Sequence, residues 1–275
     1  MLRSMFAAIS GLKNHQTMLD VTANDIANVN TVGYKGARTT FKDSLSQMQR
    51  AGAAPGAGQG GANAAQVGLG MTLGSIDNQV QGGSLQATGN PLDVAISGPG
   101  WFRVGSTTAP ALPTAFEYTR AGNFSTNANG YLVTQDGMYV VGRTVAGGGA
   151  DQLMQIPAGG TDVAIAQDGA LSYIPAGGGA RVTVGYLSLA KFSNEAGLER
   201  SSANRWRSSA SSGAEQVNTP GGGYGLTVSG TVEMSNVDLA AEFTDMIAAQ
   251  RGFQANSRVI STGDQMLEEL VNLKR

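Results

Sequence analysis

From Ser235 to Arg275 an apolar residue falls at every seventh position: Leu239, Met246, Phe253, Ile260 and Leu267. This is the stripe of a heptad helix. A second line, Val259, Gly263, Met266, Leu270 and Leu273, runs beside it at steps of four and three, so the distal half carries an apolar face too wide for solvent. Ser235 or Asn236 is the expected N-cap, and Asp238 and Glu242 stand in the first turns, where the positive end of the macrodipole favours carboxylates. Lys274 and Arg275 put the favourable sign at the other end. No proline interrupts the pattern, and at 1.5 Å per residue the helix would run roughly 55 Å. A helix of that length needs a long partner.

The matching surface lies at the opposite end of the chain. Leu2, Met5, Ile9, Leu12, Gln16, Leu19, Ala23 and Ile26 alternate at steps of three and four, an a/d seam broken only by Gln16. The expected fold is therefore α+β, with long terminal α-helices pairing as a coiled coil around an inserted, mainly antiparallel β domain. Residues 1–30 with 235–275 would make the helical domain, 31–66 a connecting segment with a Gly-rich linker, and 67–234 the β-rich domain.

Composition supports that division. Of 275 residues 41% are hydrophobic, enough for a core, whereas 14% are charged and 40 are glycine, a balance that favours turn-rich β structure. A net charge of −2 gives no basic footprint, so neither nucleic acid nor an anionic membrane is an expected partner. The chain has no cysteine and one histidine, which excludes disulfides, thiolate sites and His-based metal clusters. Ser4, Ser10, Gly11 and Lys13 break up the N-terminal apolar residues, so no secretory signal is expected, and no run approaches the ~18 apolar residues that span a bilayer. By these rules alone the expected location is the cytoplasm.

After the first helix, Asn24, Asp25, Asn28 and Asn30 end the helical pattern and Gly33 can take a left-handed conformation. Phe41, Leu45 and Met48 fit a brief helix face, and residues 51–65 read as a flexible linker. Within that linker Gly56 to Gly61 formally matches a dinucleotide fingerprint but lacks its strand, helix and distal acid. From Val67 to Val232, short alternating runs lie between glycine or Asx turns. Leu92 to Ile96 and Trp101 to Val104 read as a hairpin about Ser97 to Gly100, and Asn129-Gly130, Asp136-Gly137 and Asp168-Gly169 mark further hairpins. No catalytic constellation can be assembled around one histidine, and His15 reads as a surface or seam-edge residue. Trp101 and Trp206 read as core or interface anchors. No cofactor or metal is expected, and the chain does not read as an enzyme.

These blocks together resemble the axial proteins of the bacterial flagellum, the rod and hook proteins. The stretch Ala23 to Lys35, with Asn24, Asn28, Gly33 and Tyr34, is similar to their N-terminal signature, with Asp25 where a second Asn is usual. Leu92 to Phe102 and Tyr118 to Phe124 resemble conserved blocks of their inner β domain, with Trp101 where Phe or Tyr is more usual. Asn236, Asp238, Gln250 and Arg251 fall in the C-terminal signature. The resemblance implies a non-enzymatic subunit that polymerises helically, with the terminal helices lining a channel, and it implies export through the flagellum's own secretion apparatus without a cleaved signal. This replaces the cytoplasmic expectation. The ending most resembles short hook proteins, which implies an extracellular hook subunit; the alternative is the distal rod of the basal body. Implied partners are further copies of the chain, rod proteins, the hook cap, the hook–filament junction and the export apparatus. The expected assembly surface is Leu2, Met5, Ile9, Leu12, Leu19, Ile26, Leu239, Met246, Phe253, Ile260, Met266, Leu267 and Leu270.

Overall fold

A computed structural model describes residues 2–54 and 60–273, excepting the side chain of Leu2. Lys274 and Arg275 therefore lie outside the described residues, as does most of the Gly56 to Gly61 match. The chain divides into two compact units, one holding residues 1–27, 37–77 and 238–275 and the other residues 28–36 and 78–237.

In the first unit, helix α1 spans Leu2–Ala27 and α2 spans Leu239–Asn272. The N-cap of α2 is Asp238, whose Oδ1 accepts from the Ala240 N–H at 2.9 Å, rather than Ser235 or Asn236. Both of those side chains are engaged elsewhere: Ser235 Oγ accepts from the Val237 N–H, and the Asn236 amide binds three backbone groups. The helices run antiparallel, since Met5 meets Gly263, Gly11 meets Asn256 and His15 meets Gly252. They approach closely through small residues. A Cβ on Gly252 would lie 2.5 Å from His15 Nε2, and one on Gly11 2.6 Å from Asn256 Nδ2.

This displaces the contact line from the expected apolar seam of α1. Its deepest burial falls on Ala8, Gly11, Asn14, Thr22 and Asp25, while Ile9, Gln16 and Ala23 are exposed and Met5, Leu12, Leu19 and Ile26 are half-buried. Closest approach is set by the residues with least side chain, and hydrophobicity ranks those low.

Of the expected short helix face, Phe41 and Met48 lie instead in strands, and a two-stranded ribbon in the helical unit flanks the expected linker, whose residues 55–59 lie outside the described residues. Strand β1 (Ala37–Asp43) pairs with β4 (Met71–Asn78), and β2 (Ser46–Arg50) pairs with β3 (Ala65–Gly68), with an Ala53–Ala62 bridge beyond. Strands β3 and β4 thus begin the expected β-rich span but fold with the helices. The ribbon is tied to α1: Asn14 Nδ2 donates to the Met71 carbonyl at 2.7 Å, and Asp25 Oδ2 accepts from the Ala37 N–H at 2.9 Å. Gly70, at φ 115°, passes so close to α1 that a Cβ would come within 3.2 Å of Ala7 Cα.

The second unit is antiparallel β structure, its largest sheet joining 13 strands among the described residues. The three Asx-Gly turns connect paired strands as expected, with Gly130, Gly137 and Gly169 all left-handed. The proposed hairpin about residues 97–100 does not form. Val94–Ser97 pairs with Leu226–Ser229, whereas Trp101–Gly105 joins the large sheet between Glu117–Thr119 and Tyr139–Val145. Gly98 at φ 121° and Gly100 at φ 134° turn the chain from one sheet to the other. Because side chains alternate along a strand, Trp101–Gly105 feeds two cores. Phe102 and Val104 pack with Leu132, Leu171 and Leu187, and Trp101 packs with Tyr118, Phe192 and Trp206.

Candidate assembly surface and a buried charge staple

Within the β unit, the segments by which the chain enters and leaves are drawn together by one carboxylate. Glu233, almost fully buried, accepts from Lys35 Nζ at 2.5 Å and the Gly83 N–H at 2.9 Å through Oε1, and from Arg120 Nη1 at 3.2 Å through Oε2. Lys35 also donates to the Gln81 carbonyl at 2.8 Å, and Arg120 to the Gly98 carbonyl at 3.0 Å. Burial pushes the Lys35 ammonium below the ordinary lysine value, and the adjoining Glu233 carboxylate restores only part of it. Arg120 stacks over Trp101 at 5.3 Å. One anion therefore holds two buried cations, and all three side chains come from different stretches of chain.

Of the signature residues, Asn236, Gly33 and Tyr34 lie beside this staple in the β unit. Asn236 Oδ1 accepts from the Gly36 N–H at 2.9 Å, and its Nδ2 donates to the carbonyls of Gln79 at 2.8 Å and Gln81 at 3.2 Å. The Gly33 N–H donates to the Glu233 carbonyl at 2.7 Å; its φ is 67°, and a Cβ there would fall 2.7 Å from the Arg120 carbonyl carbon. Only glycine satisfies both conditions. Asn28 Oδ1 accepts from Thr31 Oγ1 at 3.1 Å, closing the turn after α1. Tyr34 is buried, with Arg200 both donating to its hydroxyl at 3.1 Å and lying over its ring. Asp238 caps α2, while Gln250 and Arg251 lie exposed on it and Asn24 lies exposed on α1. The signature is thus largely one of chain geometry.

The helical unit carries the expected assembly residues. Met246, Ile260 and Leu267 are half-buried on the α1 side of α2, and Leu239 and Phe253 on the same stripe remain exposed. Of the second line, Gly263 enters the contact with Met5, whereas Val259, Met266, Leu270 and Leu273 face solvent. The Leu2 side chain lies outside the described residues. His15 is a seam residue: its ring packs between Gly252 and Phe41. In the first turn of α2, burial and then the neighbouring charges of Asp25, Asp245 and Asp238 push the Glu242 carboxyl up to about 7. Among the described residues no group of three or more His, Asp or Glu is placed to hold a metal ion, and no helix is long and apolar enough to cross a membrane.

Three stretches match families of known proteins. Residues 5–35 match one described as flagella basal body rod protein, 95–173 the flagellar hook protein FlgE/F/G D1 domain, and 228–273 the flagellar basal body rod FlgEFG protein C-terminal region. Over 277 aligned positions covering both chains completely, the chain is 47% identical to the flagellar basal-body rod protein FlgG of Bacillus subtilis. It belongs to the flagellar rod and hook protein family. A second rod relative, FlgG of Caulobacter vibrioides, is 39% identical across 99% of this chain and all of that one. The flagellar hook protein FlgE of Treponema pallidum is 26% identical in an alignment of 463 positions covering both chains. Members of this family are structural, not enzymatic, proteins of the flagellar axis, which accounts for a site made of staples and seams.

The staple escaped the sequence reading because Lys35 and Glu233 lie 198 positions apart. A local signal did exist. Lys35 sits between Gly33-Tyr34 and Gly36, and Glu233 stands between Val232 and Met234, in a stretch with few other charges.

Proposed function

We propose that this chain is a structural subunit of the flagellar rod, in its distal part, polymerising helically into a tube of the basal body. The observation that carries this is the end-to-end match to rod proteins of the same length, with 47% identity over 277 positions, against 26% over 463 positions for the hook relative. It takes the place of the hook assignment drawn from the chain's ending. In the assembled tube the terminal helices would pair as a coiled-coil layer around the channel. Ile9, Leu239, Phe253, Met266 and Leu270 would be covered by neighbouring copies, with rod and hook proteins as axial neighbours. The chain would reach that place through the flagellar export apparatus, without a cleaved signal.

The ribbon also favours a rod. A bending hook requires sliding between its layers, whereas here the described residues that flank residues 55–59 are paired, β1 with β4 and β2 with β3, as far as the Ala53–Ala62 bridge. Electron cryomicroscopy of the purified, polymerised protein tests the assignment. A straight, rigid tube lined by terminal helices is expected, and a tube that curves would return the hook.

A further inference from the structure

The largest sheet of the β unit ends on Thr161–Ile165, which pairs with Ala170–Ile174 and, among the described residues, with no strand on its other side. An open edge offers unpaired N–H and C=O groups to any strand that meets it. Val163 to Ala166, on this edge, is an apolar run without charge or proline, the kind of segment that stacks into cross-β structure. The other edge strand of similar length, Gly148–Leu153, begins with two glycines and has only Ala150 and Leu153 as apolar side chains.

The two ends of Thr161–Ile165 are treated differently. Just past its C-terminal end, Thr227 Oγ1 donates to the Ala166 carbonyl at 2.7 Å and the Thr227 N–H to the Gln167 carbonyl at 3.1 Å, so the edge is covered there. At the N-terminal end Thr161 and Asp162 are exposed, and there the strand is bulged. Thr161 opposes Ile174 and Ala164 opposes Ser172, so three steps on one strand match two on the other. Asp162 takes φ 50°, a left-handed conformation that breaks the ladder. Arg181 fixes this bend, its Nη1 donating to the Asp162 carbonyl at 3.1 Å and its Nη2 to the Asp162 carboxylate. The Asp162 side chain is 62% exposed, and an ion pair so exposed contributes little stability. Its effect is on geometry and charge at the one stretch of this edge that Thr227 leaves open.

We propose that the bulge at Asp162, held by Arg181, is a guard that stops this edge from pairing with the same edge of another copy. A subunit that polymerises is kept at high local concentration by its own role, and an unguarded apolar edge would divert it into cross-β aggregates. The guard goes beyond the rod assignment and does not depend on it.

The test follows thioflavin T fluorescence of the full chain, held below its critical concentration for helical polymerisation. Asp162→Val removes the charge and puts a β-branched residue where φ is positive, which favours a straightened strand; it should shorten the lag before fibres appear about fivefold. Asp162→Lys breaks the ion pair but keeps a charge at the edge, and should leave the lag near that of the wild type. Gly33→Ala, which loosens the β unit at another place, should shorten the lag less than Asp162→Val. Hydrogen exchange on the Asp162→Val fibres should show a protected core that includes residues 161–166. A wild-type lag in Asp162→Val, an equally short lag in Asp162→Lys or Gly33→Ala, or a fibre core that leaves out residues 161–166 would each overturn the guard.

Discussion

Replacing Glu233 with glutamine removes the charge from the staple while nearly preserving its shape. The glutamine can still accept from Gly83 and from one cation, but Lys35 and Arg120, both almost fully buried, lose their counter-charge. Breaking a buried ion pair from one side costs about 3–5 kcal/mol. Release of the Lys35 proton, already eased by burial, limits the cost, so about 4 kcal/mol is expected. Lys35→Met gives a different result. Glu233 keeps Arg120 and the Gly83 N–H, and the buried ammonium that was costly to desolvate is gone, so a loss of about 1–2 kcal/mol is expected. At about 3 °C per kcal/mol for a domain of this size, the melting temperature of the β signal should fall by about 12 °C in the first variant and about 4 °C in the second. Calorimetry or β-region circular dichroism on the monomer reads both. Equal destabilisation by the two variants, or an effect of Glu233→Gln below about 1 kcal/mol, would refute the view that one carboxylate holds the staple.

Other perturbations address other links. Gly33→Ala adds left-handed strain to a clash with the backbone at Arg120, and should cost about 3 kcal/mol of β-unit stability in denaturant unfolding. Gly252→Ala drives a methyl into the His15 ring and should weaken polymerisation without changing the β-unit melt; a raised critical concentration in pelleting assays is expected. Glu242, raised to about 7 in the folded helical unit, binds more protons folded than unfolded between its ordinary value of 4.5 and about 7. Its penalty is therefore absent below that window and full above it. Discounted for solvent screening, it amounts to about 1 kcal/mol. Glu242→Gln should lower the critical concentration about fivefold at pH 8 and leave it unchanged at pH 4.5. Limited proteolysis of verified monomer should cut within α1 and α2 first and leave the β unit intact; protected helices would remove the coupling of helix order to assembly.

The terminal helices were legible because a seven-residue stripe of large apolar residues survives without knowledge of any partner. The exact line of contact was not. Gly11, Ala8, Gly252 and Gly263 mark the approach of two helices through what they lack, while Ile9 and Leu12 drew attention through what they carry. The ribbon was hidden for a related reason. Arg38, Lys42, Gln47 and Gln49 keep its strands polar, and β2 finds β3 only across a Gly- and Ala-rich excursion that looks like a linker. Asx-Gly turns could be placed from two letters, but the partners of Val94–Ser97 could not, because pairing with Leu226–Ser229 spans nearly half the chain.

The two units differ in where their order originates. In the β unit the two aromatic and aliphatic clusters are closed on themselves, and the staple satisfies a carboxylate from three directions without reference to any other chain. In the helical unit the closest approaches fall at Gly11, Gly252 and Gly263, which face Asn256, His15 and Met5 and themselves bury little apolar area, and the larger Ile9, Phe243, Ile247, Met266 and Leu270 remain outside. Apolar burial is the dominant favourable term available to a helix pair, so a pair that keeps its largest residues outside has its stabilising surface still to be covered. A subunit built this way can carry a folded β unit while its helices gain most of their stability only when a neighbour arrives. Folding and polymerisation are then one free-energy change at the termini, and two at most in the chain as a whole.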